Sequence, residues 1–553
     1  MPETPGTRPL LLLGPALRHV DPVSATIWVE TDRPCEVTVL GRSARTFCVH
    51  GHHYALVVVE DLEPGSTTPY EVHLDGQPVW PQPHSALPPS RIRTVGRPGP
   101  FRIAFGSCRY ATPTTVDVRD GIPPDALDSY ARQISDTPEG EWPDALVLLG
   151  DQVYADEVAP GTENWLALRR DLEPGTDAQA SDFEEYTRLY AESWGDPQVR
   201  WLMSTIPSSM VFDDHEMIDD WNTSATWRAQ VTPTDWWKKR ICGGLTSYWV
   251  YQHLGNLSPH ELSQNVTWQA ISTRDDGSDD AGPMLDEMAR AADEEPESVR
   301  WSYVRHWGSA RLIMVDSRAG RVLTENDRKM LDDDEFAWID AAVQRSVEDG
   351  VDHLLIGTSL PWLLPHAVHH IERWNETLAA RHAGRPLGKL AEKLRQAADL
   401  EHWAAFGQSF ERLGRTLVAA ARGDFGAAPA TALVLSGDVH HAYAAELVRP
   451  GGLRSRVHQL TVSPLHNQAP HAIEIGFKVG WSRWARAITR GIGGLARVGT
   501  SQLRWEKEAG PFFGNELGEL VLEGRNARFR LFATSRDDDG RPHFDQVLDA
   551  ELS

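Results

Sequence analysis

Four short apolar runs in this chain each end on residue types that bind metal ions. Ile103-Ala104-Phe105-Gly106 leads into Ser107-Cys108, and Leu146-Val147-Leu148-Leu149-Gly150 leads into Asp151-Gln152-Val153-Tyr154. Ser209-Met210-Val211-Phe212 leads into Asp213-Asp214-His215-Glu216, and Ala432-Leu433-Val434-Leu435 precedes Gly437-Asp438-Val439-His440-His441. A short apolar run bounded by turn residues reads as a buried strand. In open α/β sheets ligands sit beyond the carboxyl ends of the strands, so four such ends can meet at one site although they lie hundreds of residues apart. The pattern predicts a metalloenzyme.

With 553 residues the chain exceeds the length over which one core usually grows, which predicts two domains or one large domain with insertions. The formal charge of −25 excludes a general nucleic-acid backbone binder, which needs a cationic footprint. Four cysteines (Cys35, Cys48, Cys108 and Cys242) are too few for a disulfide scaffold, and Cys35 and Cys48 would pair only if adjacent strands carried them. The amino terminus lacks the basic and apolar regions of a signal peptide, and no apolar run of about 18 residues follows. A soluble cytoplasmic protein with no membrane span is expected, with a trimmed secreted form as the alternative. The sequence sets no oligomeric state.

The first hundred residues alternate as short strands, among them Ala25 to Val29, Glu36 to Leu40 and Tyr54 to Val59. The turn Leu62-Glu63-Pro64-Gly65, followed by Tyr70-Glu71-Val72-His73-Leu74, resembles the tyrosine-corner region of fibronectin- or immunoglobulin-like sandwiches. Pro81 to Pro100 reads as a linker. From Phe101 strands alternate with amphipathic helices, one of them predicted over Glu325 to Ser346, which gives an α/β architecture. The acidic stretch Arg274 to Ser298 reads as a mobile loop or solvated helix, Trp362 to Gly426 as a helical insertion, and the end of the chain as β structure. Most of the tryptophans are expected in the core.

Asp151 is the natural carboxylate to bridge two cations. Tyr154 could supply a phenolate and Cys108 a thiolate, against the alternatives of a hydroxyl bonded to backbone and an inert buried thiol. Five motifs then occur in one order: Gly106-Ser107-Cys108, Gly150-Asp151-Gln152-Val153-Tyr154, Asp213-Asp214-His215-Glu216, Asp316-Ser317-Arg318 and Gly437-Asp438-Val439-His440. In this the chain resembles the PhoD-like alkaline phosphatases of the calcineurin-like metallophosphoesterase superfamily.

The resemblance implies an α/β fold with a metallophosphoesterase β-sandwich-like core flanked by helices over residues 96–553, behind a small all-β fibronectin- or immunoglobulin-like domain over 1–95. It implies iron(III) held by Cys108, Asp151, Tyr154 and His440. Asp151 would bridge to a calcium site served by Asp214 and Asp438, with Mn2+, Co2+, Mg2+ or Zn2+ as alternative divalent ions. Two departures from the superfamily pattern stand out. Asp214 replaces an asparagine and Asp438 a histidine, which favours hard, oxygen-preferring cations. No histidine follows the strand at Gly357-Thr358-Ser359, so a ligand of the second site is missing, for which Asp219 and Asp220 are candidates. The implied reaction is hydrolysis of phosphate monoesters or diesters by activated water, with Asp151 and His215 as the catalytic residues. Arg318 would clamp phosphate or form an ion pair with a nearby carboxylate, and His441 and His466 would line the rim. The partner is a small phosphate ester. Alternatives are a phospholipid, nucleotide or pyrophosphate hydrolase on the same centre, and a metal-stabilised binding protein without catalysis.

Overall fold

The computed structural model describes residues 8–111, 122–172, 178–274, 279–448, 452–468, 471–495, 498–499, 501–537 and 542–553. Two mixed sheets face each other at its centre. One has six strands in the order Ser208–Val211, Ala145–Leu149, Phe101–Gly106, Glu516–Glu523, Asn526–Arg536 and Pro542–Glu551. The other has seven, in the order Tyr303–Trp307, Ala310–Val315, His353–Thr358, Thr431–Ser436, Arg456–Thr461, Ala442–Leu447 and Trp505–Phe512. The first three strands of the six-stranded sheet run parallel, as do the four from Ala310–Val315 to Arg456–Thr461 in the other.

Ile103, Phe105 and Val147 from one sheet and Leu312, Met314 and Leu433 from the other share one core. Helices cover the outer faces, as Phe336 and Ile339 do against Ile313 and Ile356. Burial on both faces explains why these strands read as unbroken apolar runs instead of alternating ones. In the six-stranded sheet Leu148 is in register with both Gly106 and Met210, so the three parallel strands end side by side. The strand Thr431–Ser436 ends against them: the Asp438 amide donates to the Ser107 hydroxyl at 3.1 Å.

The amino-terminal part is all β. A sheet ordered Leu11–Val20, Ala25–Thr31, His52–Val59 and Phe47–Val49 and another ordered Arg42–Arg45, Glu36–Val39, Val72–Leu74 and Gln77–Trp80 enclose Ile27, Val37, Val57 and Val72. It is not joined by a bare linker, because Arg91–Arg93 within the Pro-rich segment pairs with Thr67–Pro69. The tyrosine-corner expectation is corrected too. Tyr70 Oη donates to the Ser204 carbonyl at 2.5 Å, reaching the helix Pro197–Thr205 instead of its own upstream backbone. Arg18 is fully buried and donates to the Tyr251 and Gln252 carbonyls at 2.6 and 2.8 Å. These contacts fasten the β part to the helices behind the site.

Two helices differ from expectation. The predicted helix at Glu325 begins at Asp333, where the Asp332 side chain accepts from the Asp334 and Glu335 amides and fixes the start. The acidic stretch holds the helix Gly282–Glu294, whose Leu285 and Ala289 are buried, so one face is packed and not solvated. Residues 275–278 of that stretch lie outside the described ones. The helical insertion is present as His366–Arg381, Pro386–Ala397 and Gly407–Arg422. Eight tryptophans, including Trp28, Trp221 and Trp403, are among the largest fully buried side chains, which places them in the core. All four cysteines are free thiols, and among the described residues no helix is long and apolar enough to cross a membrane.

Candidate metal centre

The strand ends reach the site through left-handed turns. Cys108, Asp151, Asp438 and His440 have φ of 56°, 53°, 69° and 46°, a conformation that costs a non-glycine residue free energy and is kept where surrounding contacts enforce it. Gly150 and Gly437 permit the approach of these turns. A Cβ at Gly150 would lie 2.6 Å from that of Asp213, and one at Gly437 would lie 2.0 Å from the Ser107 hydroxyl.

Glu216 ties two of the turns together. Its buried carboxylate accepts from the amides of Asp151 at 3.0 Å, Gln152 at 2.8 Å and Asp213 at 2.9 Å, and from Gln252 Nε2 at 3.1 Å. Burial pushes this carboxyl up to about 7 against those four donors.

Around this frame the carboxylates crowd. Ligand atoms of Asp151, Asp214 and His215 lie within 4.8 Å of one another, and so do those of Asp213, Asp214 and Asp438. Asp214 belongs to both groups. Asp151 Oδ1 and Asp213 Oδ2 are buried without a hydrogen-bond partner, and Asp214 Oδ1 faces only the Arg318 guanidinium at 3.1 Å. An unpaired buried acceptor is costly, and a cluster of like charges more so. The Asp151 and Asp213 carboxyls are accordingly raised well above their ordinary value, by burial first and by neighbouring carboxylates. A cation answers both costs, so the residues fit one. The oxygen-rich donor set suits a hard ion.

Cys108 is fully buried and its Sγ lies 3.2 Å from Asp151 Oδ2. Burial, with Asp151 and Asp438 nearby, pushes this thiol well above its usual range, so a thiolate here needs a cation. Tyr154 Oη accepts from Asn467 Nδ2 at 3.0 Å, which leaves its own proton free to be lost. Burial also raises this phenol, with Cys108 and Asp151 adding to the shift. The His215 ring packs on that of Tyr154 at 4.5 Å, and its Nδ1 meets both Asp156 oxygens at 2.9 and 3.0 Å. That leaves Nε2 for the site. Burial opposes the His215 charge, but Asp156 and Asp214 outweigh it and hold the imidazole well above its ordinary value. Burial lowers His440 to about 4, a neutral ring with a lone pair to offer.

Three expectations change. Arg318 is fully buried, with its guanidinium engaged by Asp213 and Glu401 and its Nη2 3.1 Å from Asp214 Oδ1. It is the ion-pair partner of the carboxylates instead of an open phosphate clamp, because its stem runs through the core and three acids surround its head. His441 is fully buried too: its Nδ1 donates to the Val439 carbonyl at 2.7 Å and its ring packs 4.2 Å from Phe477, so it is not on a rim. His466 is buried with Nδ1 on the Tyr110 carbonyl at 2.5 Å. Asp219 and Asp220 flank the cluster, and the Asp220 amide donates to Asp214 Oδ2 at 3.0 Å. Their carboxyls are raised by burial to about 7 and about 9.

His402 was not anticipated. It comes from the helical insertion, and its Nε2 lies 3.1 Å from Asp438 Oδ2 while Nδ1 lies 2.6 Å from Glu372 Oε1. Burial raises the Asp438 carboxyl, but His402 outweighs it and holds the group below the ordinary carboxylate value. Asp156 and Glu401 were missed as well, and Asp213 was read only as part of its motif, without a role. Only the acid and imidazole side by side in Glu401-His402 signalled anything in the sequence.

Residues 128–489 match the family model of the PhoD-like phosphatases, and residues 8–92 match that of a domain of unknown function (DUF7800). A solved structure of PhoD aligns over 100% of this chain and 94% of that chain, with a TM-score of 0.57 and 11% sequence identity. A purple acid phosphatase isolated from yellow lupin (Lupinus luteus) seeds aligns over 97% of this chain and 73% of that chain, with a TM-score of 0.48 and 10% identity. No curated protein matches the sequence.

Proposed function

This chain belongs to the PhoD-like phosphatase family, and we propose that it is a metal-dependent phosphoesterase that hydrolyses small phosphate monoesters or diesters at a dinuclear centre. The observation that carries the reading is the crowding of Asp151, Asp213, Asp214 and Asp438 into two overlapping ligand groups, with Asp151 Oδ1 and Asp213 Oδ2 buried without a hydrogen-bond partner. The reading assigns iron(III) to Cys108, Asp151, Tyr154 and His440. It assigns calcium, or another divalent ion, to Asp151, Asp214 and Asp438, with Asp213 added to that set. Cations held there supply Lewis acidity to the phosphoryl oxygens and lower the pKa of a water molecule.

The chain's own residues set the geometry. Glu216 fixes the turn that carries Asp151 relative to the one that carries Asp213, so the Asp151 carboxylate is placed before substrate arrives. Glu372 holds His402 on Asp438, which fixes which carboxylate oxygen stays open. Asp156 holds the Nδ1 side of His215 and favours its protonated form, so Nε2 carries a proton for the leaving-group oxygen. In this scheme water attacks phosphorus in line, the bond to the leaving oxygen breaks, and that oxygen takes the His215 proton. Arg318 acts on the carboxylates and not on substrate.

The test is turnover of p-nitrophenyl phosphate and bis-p-nitrophenyl phosphate before and after removal of metals by a chelator. Loss of turnover on chelation and its return on adding iron with calcium supports the reading, and full turnover by chelated protein overturns it. The ratio of the two rates separates monoesterase from diesterase.

A further inference from the structure

A cavity of about 360 Å³ lies between the helices His366–Arg381 and Arg483–Leu495 and the start of the strand Trp505–Phe512. It shares no lining residue with the carboxylate cluster. Three imidazoles, those of His366, His369 and His370, line it from the first helix, and the guanidinium-bearing residues Arg373, Arg486, Arg490 and Arg504 line it with the hydroxyl residues Thr489 and Ser501. No carboxylate lines it among the described residues, in a chain with 79 acidic against 54 basic residues. Such a concentration of cationic side chains in an acidic protein is a local field that selects anions.

The groups differ in how far they are committed. Arg373 is ion-paired with Glu376, and Arg486 reaches Glu506 only at 3.5 Å. Arg490 and Arg504 have no carboxylate within ion-pair distance among the described residues. His370 Nδ1 is used by the Thr489 hydroxyl at 3.0 Å. His369 is 3% exposed, packs against Phe410 and Trp505, and has a buried Nδ1 without a hydrogen-bond partner. A buried ring nitrogen left unpaired in a cavity lined by guanidinium-bearing residues is a half-built recognition site. The field is visible in the histidines themselves: burial first and Arg486 second lower His366 to about 3 and His370 to about 4.

We propose that this cavity is a second binding site, separate from the metal centre, for a phosphate-class oxyanion held by Arg486, Arg490 and Arg504 with His369 at its floor. Guanidinium groups recognise phosphate through paired, charge-assisted hydrogen bonds. Occupancy has a route to the metal centre. The helix that supplies the imidazoles also carries Glu372, which holds His402 on Asp438. The ligand is free phosphate or diphosphate, or the same group on a lipid headgroup. The second source has its own mark, since Trp484, Ile488 and Ile492 are exposed on the helix that bears Arg486 and Arg490.

The experiment titrates the metal-loaded full chain with inorganic phosphate and with pyrophosphate by calorimetry, in wild type and in the Arg486→Ala/Arg490→Ala double variant. Both arginines lie at the surface side of the cavity, so the variant is expected to fold, and a thermal midpoint confirms it. In parallel, co-sedimentation is measured with phosphatidic acid and phosphatidylcholine vesicles. The result expected is two classes of phosphate site in wild type, one of which weakens roughly tenfold or more in the variant. Turnover of p-nitrophenyl phosphate at low phosphate stays within about twofold. Loss by the variant of binding to phosphatidic acid vesicles, with free phosphate unaffected, assigns the site to a lipid headgroup. Identical titrations and identical sedimentation in both proteins overturn the proposal. Because the readout is binding, the result stands apart from whether the metal centre turns over phosphate esters.

Discussion

Replacing Glu216 by glutamine tests how the site is held, because the change keeps the shape and alters only the acceptors. At pH 8 the native carboxyl, raised by burial to about 7, is ionised and accepts four hydrogen bonds, two on each oxygen. An amide keeps one oxygen and turns the other into a donor. In the better orientation the oxygen stays with the Asp151 and Asp213 amides, and the new NH2 faces the Gln152 amide and Gln252. Gln252 can answer by flipping, since its Oε1 is buried without a partner and the Tyr190 hydroxyl, which now accepts from Nε2, can donate to Oε1 instead. The Gln152 amide is left with no acceptor. One orphaned buried donor costs about 1–3 kcal/mol, and weakening two charge-assisted bonds to neutral ones adds about 1 kcal/mol, for a total of about 2–4 kcal/mol. The assay is urea unfolding at pH 8 alongside kcat/KM for p-nitrophenyl phosphate. A lower midpoint at unchanged slope and a fall in kcat/KM of roughly 100-fold are expected, since the Asp151 turn loses its fixed position. Stability within about 0.5 kcal/mol of wild type, with kcat/KM within about twofold, refutes the reasoning.

Further outcomes follow from other contacts. His215→Asn lowers kcat by about 10²- to 10⁴-fold for alkyl phosphates, and much less for p-nitrophenyl phosphate, whose leaving group needs no proton; an equal loss on both substrates removes the general-acid role. Arg18→Met removes the guanidinium donor from the Tyr251 and Gln252 carbonyls, while Asn256 Oδ1 keeps the Met210 amide, and is expected to cost about 2–4 kcal/mol in urea unfolding. An unchanged midpoint would show that this junction carries no stability. His366 and His370 are held below their ordinary value in the folded chain, so the unfolded chain binds more protons between about pH 4 and 6.5. Their contribution is fully present above about pH 6.5 and is lost as pH falls towards 4. His370→Gln therefore shows a smaller drop in thermal midpoint between pH 7.5 and 4.5 than wild type, and an equal drop contradicts the assignment.

The strand ends were legible because a strand buried on both faces must be a continuous apolar run, and ligand residues placed after it have little freedom in where they point. Cys108, Asp151, Asp214 and Asp438 were read as candidates in this way, and the structure brings their strand ends together. His402 was not, because it follows a helix in a long insertion and no periodicity links it to the strand that carries Asp438. The position of Arg318 depends on which acids surround it, and Glu401 lies 83 residues away in sequence. The helix start at Asp333 was written in the sequence, since Asp332-Asp333-Asp334-Glu335 supplies a cap and an acidic first turn, but apolar periodicity alone extended the helix backwards. The amino-terminal strands were read correctly, whereas their attachment was not. Arg18, Trp28 and Tyr70 look like ordinary strand residues until the helices that receive them are in place.

The most direct test of a dinuclear centre is metal content per chain by plasma mass spectrometry, on wild type and Asp214→Asn purified without chelators. Asp214 is assigned to the second site alone, so the account predicts about two metal ions per wild-type chain, one of them iron, and loss of the second metal together with phosphatase turnover in the variant. Wild-type protein that turns over phosphate esters with no bound metal, or a variant that keeps both ions, would contradict it.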